Sequence, residues 1–216
     1  MQKQSLSLVH ELRLPKAPVE KPKLMVMLHG YGSHEGDLFG FADQLPEAYL
    51  VVSVRAPIRL MWGGFCWYDI RFDEGPSRWA DPVQALASLD KLHQFINEAE
   101  AAYQTQPGEI TLMGFSQGAI LSYAYSFRFP ERVRKILALS GYMFSEIMPK
   151  QLPTAAIKKL DYFVTHGTED PVIPIQWARN AVLVLEKAQL KHQYREYPIG
   201  HGITPDAFKD LLHWLK

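Results

Sequence analysis

The chain has 216 residues, and its 23 lysines and arginines are matched by 23 aspartates and glutamates. That balance creates no global field for nucleic acid or anionic lipid, which argues against partners of those kinds. A lone cysteine, Cys66, has no internal disulfide partner, and no Cys/His spacing resembles a zinc or other metal site.

The length fits one domain over 1–216, large enough to bury roughly 70% of the surface of its unfolded chain without disulfide or metal support. Met1 to Leu14 lacks the continuous apolar segment of a secretory signal, and no apolar run approaches the ~20 residues that span a bilayer. A cytoplasmic protein without integral membrane association is expected.

Leu6, Leu8, His10, Leu12 and Leu14 alternate with polar residues, the period-two pattern of an edge strand with one wetter face. Pro15, Pro18 and Pro22 then impose a loop. Leu24 to Leu28 is apolar on both faces, as in a strand of a parallel sheet covered on each side by helices. It stops at His29-Gly30-Tyr31-Gly32-Ser33, after which Leu38, Phe41, Ala42 and Leu45 predict a helix over 37–45. Tyr49 to Val54 reads as another buried strand.

Ile58 to Arg78 carries Trp62, Phe65, Trp67, Tyr68 and Phe72 among Gly63, Gly64 and Gly75, and reads as a long aromatic loop. Asp81-Pro82-Val83-Gln84 is a helix start: an acid at the cap, proline in the first position and glutamine three residues after the cap. Val83, Leu86, Leu89, Leu92, Phe95, Ile96 and Ala99 follow at helical spacing.

Ile110 to Phe115 is a strand that runs directly into Gly114-Phe115-Ser116-Gln117-Gly118 and then a helix to about Phe127. Lys135 to Gly141 is the next strand, and Tyr142 to Lys159, with Pro149 and Pro153, is a loop with short turns. Asp161 to Gly167 is a strand. Pro174 opens a helix with Trp177, Ala181, Leu185 and Ala188 on one side, and Gln193 to Tyr197 is the last strand. Thr204 caps a final helix that starts with Pro205 and buries Phe208, Leu211, Leu212 and Leu215.

Strands alternating with helices define the α/β class: a doubly wound, mostly parallel sheet with helices on both faces and its ligand site at the carboxyl ends of the strands. Ser116, His29 to Gly32, Glu169, Asp170 and His201 all follow strands, so they should converge on one edge of the sheet.

The G-x-S-x-G turn between strand and helix lifts a serine hydroxyl clear of the sheet, with a helix N-terminus beneath it. A serine at a glycine-flanked turn is also common for purely structural reasons. As a nucleophile, Ser116 needs a histidine base, itself oriented by a carboxylate. His201, in Ile199-Gly200-His201-Gly202 between the last strand and the last helix, is placed best. His166 is the rival, though its position suits a structural bond to the following loop. Asp170, fixed by Pro171 in a tight turn, is the preferred carboxylate, with Glu169 as the alternative. The order Ser116, Asp170, His201 is that of the α/β-hydrolases. Backbone N–H groups must also await the oxyanion, and those of Gln117 and Tyr31 fit. The less favoured alternative is that H-G-x-G is a plain strand-to-helix turn.

Four segments, Leu28 to Gly32, Gly114 to Gly118, His166 to Pro174 and Gly200 to Gly202, together resemble the small carboxylesterase, lysophospholipase and acyl-protein thioesterase branch of the α/β-hydrolase superfamily. The resemblance runs from about Leu24 to Lys216. It implies a hydrolase fold without a cap domain, Ser116, Asp170 and His201 as triad, and Tyr31 and Gln117 N–H groups as oxyanion hole. It implies hydrolysis of short- or medium-chain oxygen esters, with some members acting on lysophospholipids or protein thioesters, and no cofactor. Gly-Tyr-Gly-Ser at 30–33 departs from the Gly-x-Gly-Asp of the thioesterases, where Asp37 comes only later.

Trp62, Phe65, Trp67, Tyr68, Phe72, Tyr142, Met143 and Phe144 could line an apolar groove for a small-molecule ester, or the loop could pack its aromatics on itself. Two further classes are a catalytically silent hydrolase fold used as a binding module and a homodimer closed through the aromatic loop.

Overall fold

The computed structural model describes residues 2–71, 79–151 and 154–216. Phe72, Gly75 and Pro153 lie outside the described residues. In chain order the elements are β1 (His10–Arg13), β2 (Lys23–Leu28), α1 (Gly36–Phe39), β3 (Tyr49–Val54), β4 (Ile58–Arg59), β5 (Phe65–Cys66), β6 (Ile70–Arg71), β7 (Trp79–Ala80) and α2 (Pro82–Tyr103). They continue with β8 (Ile110–Phe115), α3 (Gln117–Arg128), β9 (Val133–Leu139), α4 (Thr154–Ile157), β10 (Asp161–Gly167), α5 (Ile175–Lys187), β11 (Lys191–Tyr197) and α6 (Pro205–Leu215).

Among the described residues seven strands form one sheet in the order β1-β3-β2-β8-β9-β10-β11, with β1 antiparallel to β3 and the other pairs parallel. Because successive side chains of a strand face opposite ways, a strand buried on both sides feeds two cores. Leu24, Val26 and Leu28 of β2 enter the core shared with α2, α3 and α5, while Met25 and Met27 enter the one closed by α1 and α6. This is the α/β architecture expected from the sequence, with helices on both faces.

Local corrections have identifiable causes. The helix expected over 37–45 is broken: α1 ends at Phe39 and a 3₁₀ turn covers Ala42–Gln44. The bonds from Gly40 N–H to Asp37 O and from Phe41 N–H to Leu38 O are of the tighter i to i+3 kind, at a glycine that disfavours helix. Leu38, Ala42 and Leu45 are buried nonetheless. The described part of the aromatic stretch holds two short antiparallel strand pairs, β4–β5 and β6–β7, and a bridge joins Ser33 to Phe65.

Asp81 caps α2, accepting the Val83 and Gln84 N–H groups at 2.9 and 3.1 Å. Gln84 does not complete a capping box; its amide pairs with Asp69, taking the Asp69 N–H at 2.9 Å and donating to Oδ2 at 3.0 Å. Val83 is 73% exposed rather than part of the buried stripe. On α5 the buried side is Ala178, Ala181, Val182 and Leu185, so Trp177 points off the core stripe. His10 of β1 is buried, its Nε2 2.9 Å from the Tyr103 hydroxyl. Leu212 is only half-buried on α6.

A close backbone approach joins α3 to β2. A Cβ on Gly118 would lie 1.9 Å from the Leu28 carbonyl oxygen, so only hydrogen fits there. Gly118→Ala is therefore expected to cost about 2–3 kcal/mol or more, by overpacking that the strand must yield to. A fall in the urea midpoint with unchanged slope would register it, and an unchanged midpoint would contradict the contact.

Candidate active site

Ser116 stands between β8 and α3 in a conformation foreign to most side chains, φ 53° and ψ −116°. Its N–H donates to Leu139 O at 2.8 Å, and its own carbonyl accepts the Ala119 and Ile120 N–H groups at 3.0 and 3.1 Å, starting the helix. The bend closes because residue 114 has no side chain: a Cβ there would meet the Gly118 carbonyl oxygen at 2.3 Å. The serine hydroxyl is thus raised over the first turn of a helix whose initial N–H groups point the same way.

His201 reaches this hydroxyl from the loop between β11 and α6. Its Nε2 is 2.9 Å from Ser116 Oγ and its Nδ1 is 2.7 Å from Asp170 Oδ2, while its ring leans on Phe115. With the carboxylate as acceptor, Nδ1 carries the hydrogen and Nε2 accepts from the serine O–H. Asp170 follows β10 in a turn closed by its own N–H, 3.4 Å from Gly167 O. Its side chain is fully enclosed, and Oδ1 accepts the Val172 and Ile173 N–H groups at 2.8 and 2.9 Å. Burial pushes the Asp170 carboxyl up, but the bonds from His201, Ile173 and Val172 together outweigh it and hold its pKa below the ordinary 3.8. Glu169 is exposed to solvent, and the His201 imidazole bonds to Asp170 instead.

The His29–Gly32 loop lies alongside. A Cβ on Gly30 would come within 3.3 Å of Ser116 Cβ. His29 is fully buried beneath it: Nδ1 donates to Gly30 O at 2.7 Å, Nε2 accepts the Ala56 N–H at 3.0 Å, and the His29 carbonyl accepts the Trp67 indole N–H at 3.0 Å. Tyr31 and Gln117 both line the cavity that holds Ser116. The Gln117 side chain has a role that sequence reading missed: Oε1 accepts the Trp67 N–H at 2.8 Å and Nε2 donates to Tyr68 O at 2.6 Å. It ties the aromatic stretch to the helix start.

The cavity measures about 370 Å³ and contains Tyr68 and Tyr142 of the expected pocket residues. Trp62, Phe65, Trp67 and Met143 do not line it. Trp62 is 63% exposed with its ring against Tyr31, Phe65 sits under the Arg55 guanidinium, and Trp67 is consumed by the core. Met143 lines an adjoining cavity with Phe144. The walls that were missed include Ile70, Ile120, Val172, Ile173 and Trp177. Val172 and Ile173 could have been found from their place directly after Asp170, and Ile120 from its place on the first turn after Ser116. Arg55 is engaged with Glu35 by a two-pronged ion pair, and Cys66 is a buried thiol whose pKa burial pushes up to about 12. Among the described residues no helix is long and apolar enough to cross a membrane.

This sheet, with a serine at the strand-to-helix bend after β8, is an α/β-hydrolase fold. The phospholipase/carboxylesterase family model matches residues 13–216, and the chain belongs to that family. It is 28% identical over 155 residues to the carboxylesterase SOBER1 of Arabidopsis thaliana, an alignment covering 69% of this chain and 66% of that one, just under two thirds. Acyl-protein thioesterase 1 of Kluyveromyces lactis is 30% identical over 155 residues, with 69% of this chain and 67% of the relative aligned. The crystal structure of the Bacillus cereus carboxylesterase superposes with a TM-score of 0.82 at 22% identity, covering 96% of this chain and 93% of that chain, a likeness of fold.

Burial pushes the His29 imidazole below its ordinary pKa of 6.5, by more than the Gly30 carbonyl and the Asp37 and Glu35 charges push it back. The unfolded chain then takes up the proton first, so this contribution to stability is complete above about pH 6.5 and is lost as the pH falls through the folded value. His29→Gln keeps an acceptor for the Ala56 N–H but cannot titrate. Its melting temperature is expected to fall less steeply than that of the wild type between pH 7 and pH 5, and equal slopes would contradict the assignment.

Proposed function

We propose that this chain is a serine carboxylic-ester hydrolase that turns over short- to medium-chain acyl esters through an acyl-enzyme on Ser116. The observation that carries this is the continuous hydrogen-bond path from Asp170 Oδ2 through both nitrogens of His201 to Ser116 Oγ, at 2.7 and 2.9 Å. A serine hydroxyl is a weak nucleophile at neutral pH, and this arrangement supplies the base and its orientation.

Ser116 Oγ adds to the ester carbonyl carbon while His201 Nε2 takes the hydroxyl proton. Asp170, held as a carboxylate by its three donors, stabilises the imidazolium through the Nδ1–H. The carbonyl oxygen, now negative, is met by the backbone N–H groups of Tyr31 and Gln117. As the intermediate collapses, the C–O bond to the alcohol breaks and the alcohol oxygen takes the proton from His201, leaving the acyl group on Ser116. Water then attacks the acyl carbon with His201 accepting its proton; the acid departs and the proton returns to Ser116 Oγ. No step calls on a cofactor.

A cavity of about 370 Å³ beside Ser116 accommodates a short or medium acyl chain. Its walls at Tyr68, Ile120, Val172 and Trp177 suit an apolar acyl or alcohol portion. Relatives named acyl-protein thioesterase 1 support a second reading, hydrolysis of thioesters or lysophospholipids by the same residues. Initial rates on matched oxygen and sulfur esters of increasing chain length separate the two, and an optimum confined to long-chain lysolipids would overturn the first. The fully exposed Met61 beside Trp62 supports a homodimer closed through the β4–β5 hairpin, which sedimentation at several concentrations would detect as twice the chain mass.

Ser116→Ala is expected to lower kcat on a nitrophenyl butyrate by on the order of 10⁴–10⁶. Asp170→Asn is expected to lower it by ~10⁴, since the imidazole loses its oriented tautomer. Thermal unfolding of both variants checks that the fold persists. Turnover retained by folded Ser116→Ala would refute the acyl-enzyme.

A further inference from the structure

His166 closes β10 with its side chain fully enclosed, four residues before Asp170. Its Nε2 lies 2.8 Å from Ile173 O and 3.3 Å from Asp170 Oδ2. Both neighbours are acceptors, so Nε2 carries the ring hydrogen. Nδ1, on the opposite edge of the ring, is buried with no hydrogen-bond partner among the described residues. An unsatisfied buried acceptor destabilises the fold, a penalty that an apolar side chain of the same size would avoid. Packing alone therefore does not account for an imidazole here, and the Nε2 hydrogen bond to Ile173 O with its contact to Asp170 Oδ2 must.

The hydrogen bond to Ile173 O and the contact with Asp170 Oδ2 close a ring around the carboxylate. The Ile173 N–H donates to Asp170 Oδ1 at 2.9 Å, the Ile173 carbonyl accepts from His166, and the His166 Nε2–H faces Asp170 Oδ2. That oxygen is the one receiving the His201 Nδ1–H at 2.7 Å. Glu196, the parallel partner of His166 on β11, also lies within its electrostatic reach, but it is committed to Arg179 and Tyr194. His166 does not line the cavity, so it has no part in holding substrate.

We propose that His166 is a positioning residue: its Nε2–H locks the Asp170–Ile173 turn and fixes the direction from which Asp170 Oδ2 meets His201. This role rests on the functions proposed above for Ser116, Asp170 and His201. His166 neither gives up nor gains a proton in it, and no bond to substrate is involved. Loosening the carboxylate misaligns the imidazole over the serine, which lowers the chemical step without weakening substrate binding.

Three substitutions test this, with steady-state kinetics on a nitrophenyl butyrate and a thermal melt for each. His166→Gln sets an amide nitrogen near the place of Nε2; His166→Asn sets one near Nδ1, short of Ile173 and Asp170; His166→Leu removes the donor. The expected result is a kcat lowered ~10- to 100-fold in Asn and Leu with KM unchanged, and most of the wild-type kcat kept in Gln. Should the Leu variant fail to fold, the Gln and Asn pair decides. Equal kcat in Gln and Asn, or a loss that falls in KM alone, would overturn the role of His166. Ser116→Ala measured alongside separates the two claims: turnover surviving there refutes the nucleophile and the positioning role together, whereas turnover lost there with equal Gln and Asn variants refutes only His166.

Discussion

The close approach of the first turn of α3 to the carboxyl end of β2 is the constraint on which the rest depends. With hydrogen alone between residue 118 and the Leu28 carbonyl, the helix starts directly against the sheet. The chain has no room for a gradual exit from β8, so the bend falls on one residue, and Ser116 takes a left-handed φ of 53°. The same compression brings the His29–Gly32 loop, which continues from Leu28, alongside the serine. One steric fact thereby fixes the positions of the hydroxyl, the helix N-terminus and the neighbouring backbone.

Hydrogen bonds made from buried side chains to backbone hold the loops around that centre. His29 pins its own loop to Ala56, Gln117 pins the aromatic stretch at Trp67 and Tyr68, and Asp170 pins the Val172 and Ile173 backbone. Each of these residues also stands beside or within the site, so a single side chain serves both stability and geometry. A loop tied in this way at its base keeps a defined shape without regular secondary structure, which catalytic positioning requires.

Features set by local pattern were legible in the sequence. A strand apolar on both faces, such as Leu24 to Leu28, signals a covered parallel sheet, and glycines around Ser116 and His201 signal bends that bring short loops together. Features set by contacts across long stretches of chain were not. Whether Trp67 lines a pocket or fills the core depends on its indole bond to His29 and on Gln117, which no spacing reveals. Trp177 sits one residue away from the buried Ala178, and a rotation of about 100° per residue moves it from the core stripe to the cavity wall. The apolar stripe over 37–45 did not show the break, because it meets the core whether the turns are α or 3₁₀, and Gly40 was the one local sign of it.

The central claim is that the bend at residue 116 presents an activated hydroxyl to a carbonyl carbon. The most direct measurement is peptide mapping by mass spectrometry after brief exposure of the native protein to a fluorophosphonate, which phosphonylates serines only where a base has activated them. The account requires one adduct per chain, carried by Ser116 and absent when the protein is unfolded before exposure. A native protein that remains unmodified, or that carries the adduct on another residue, would contradict it.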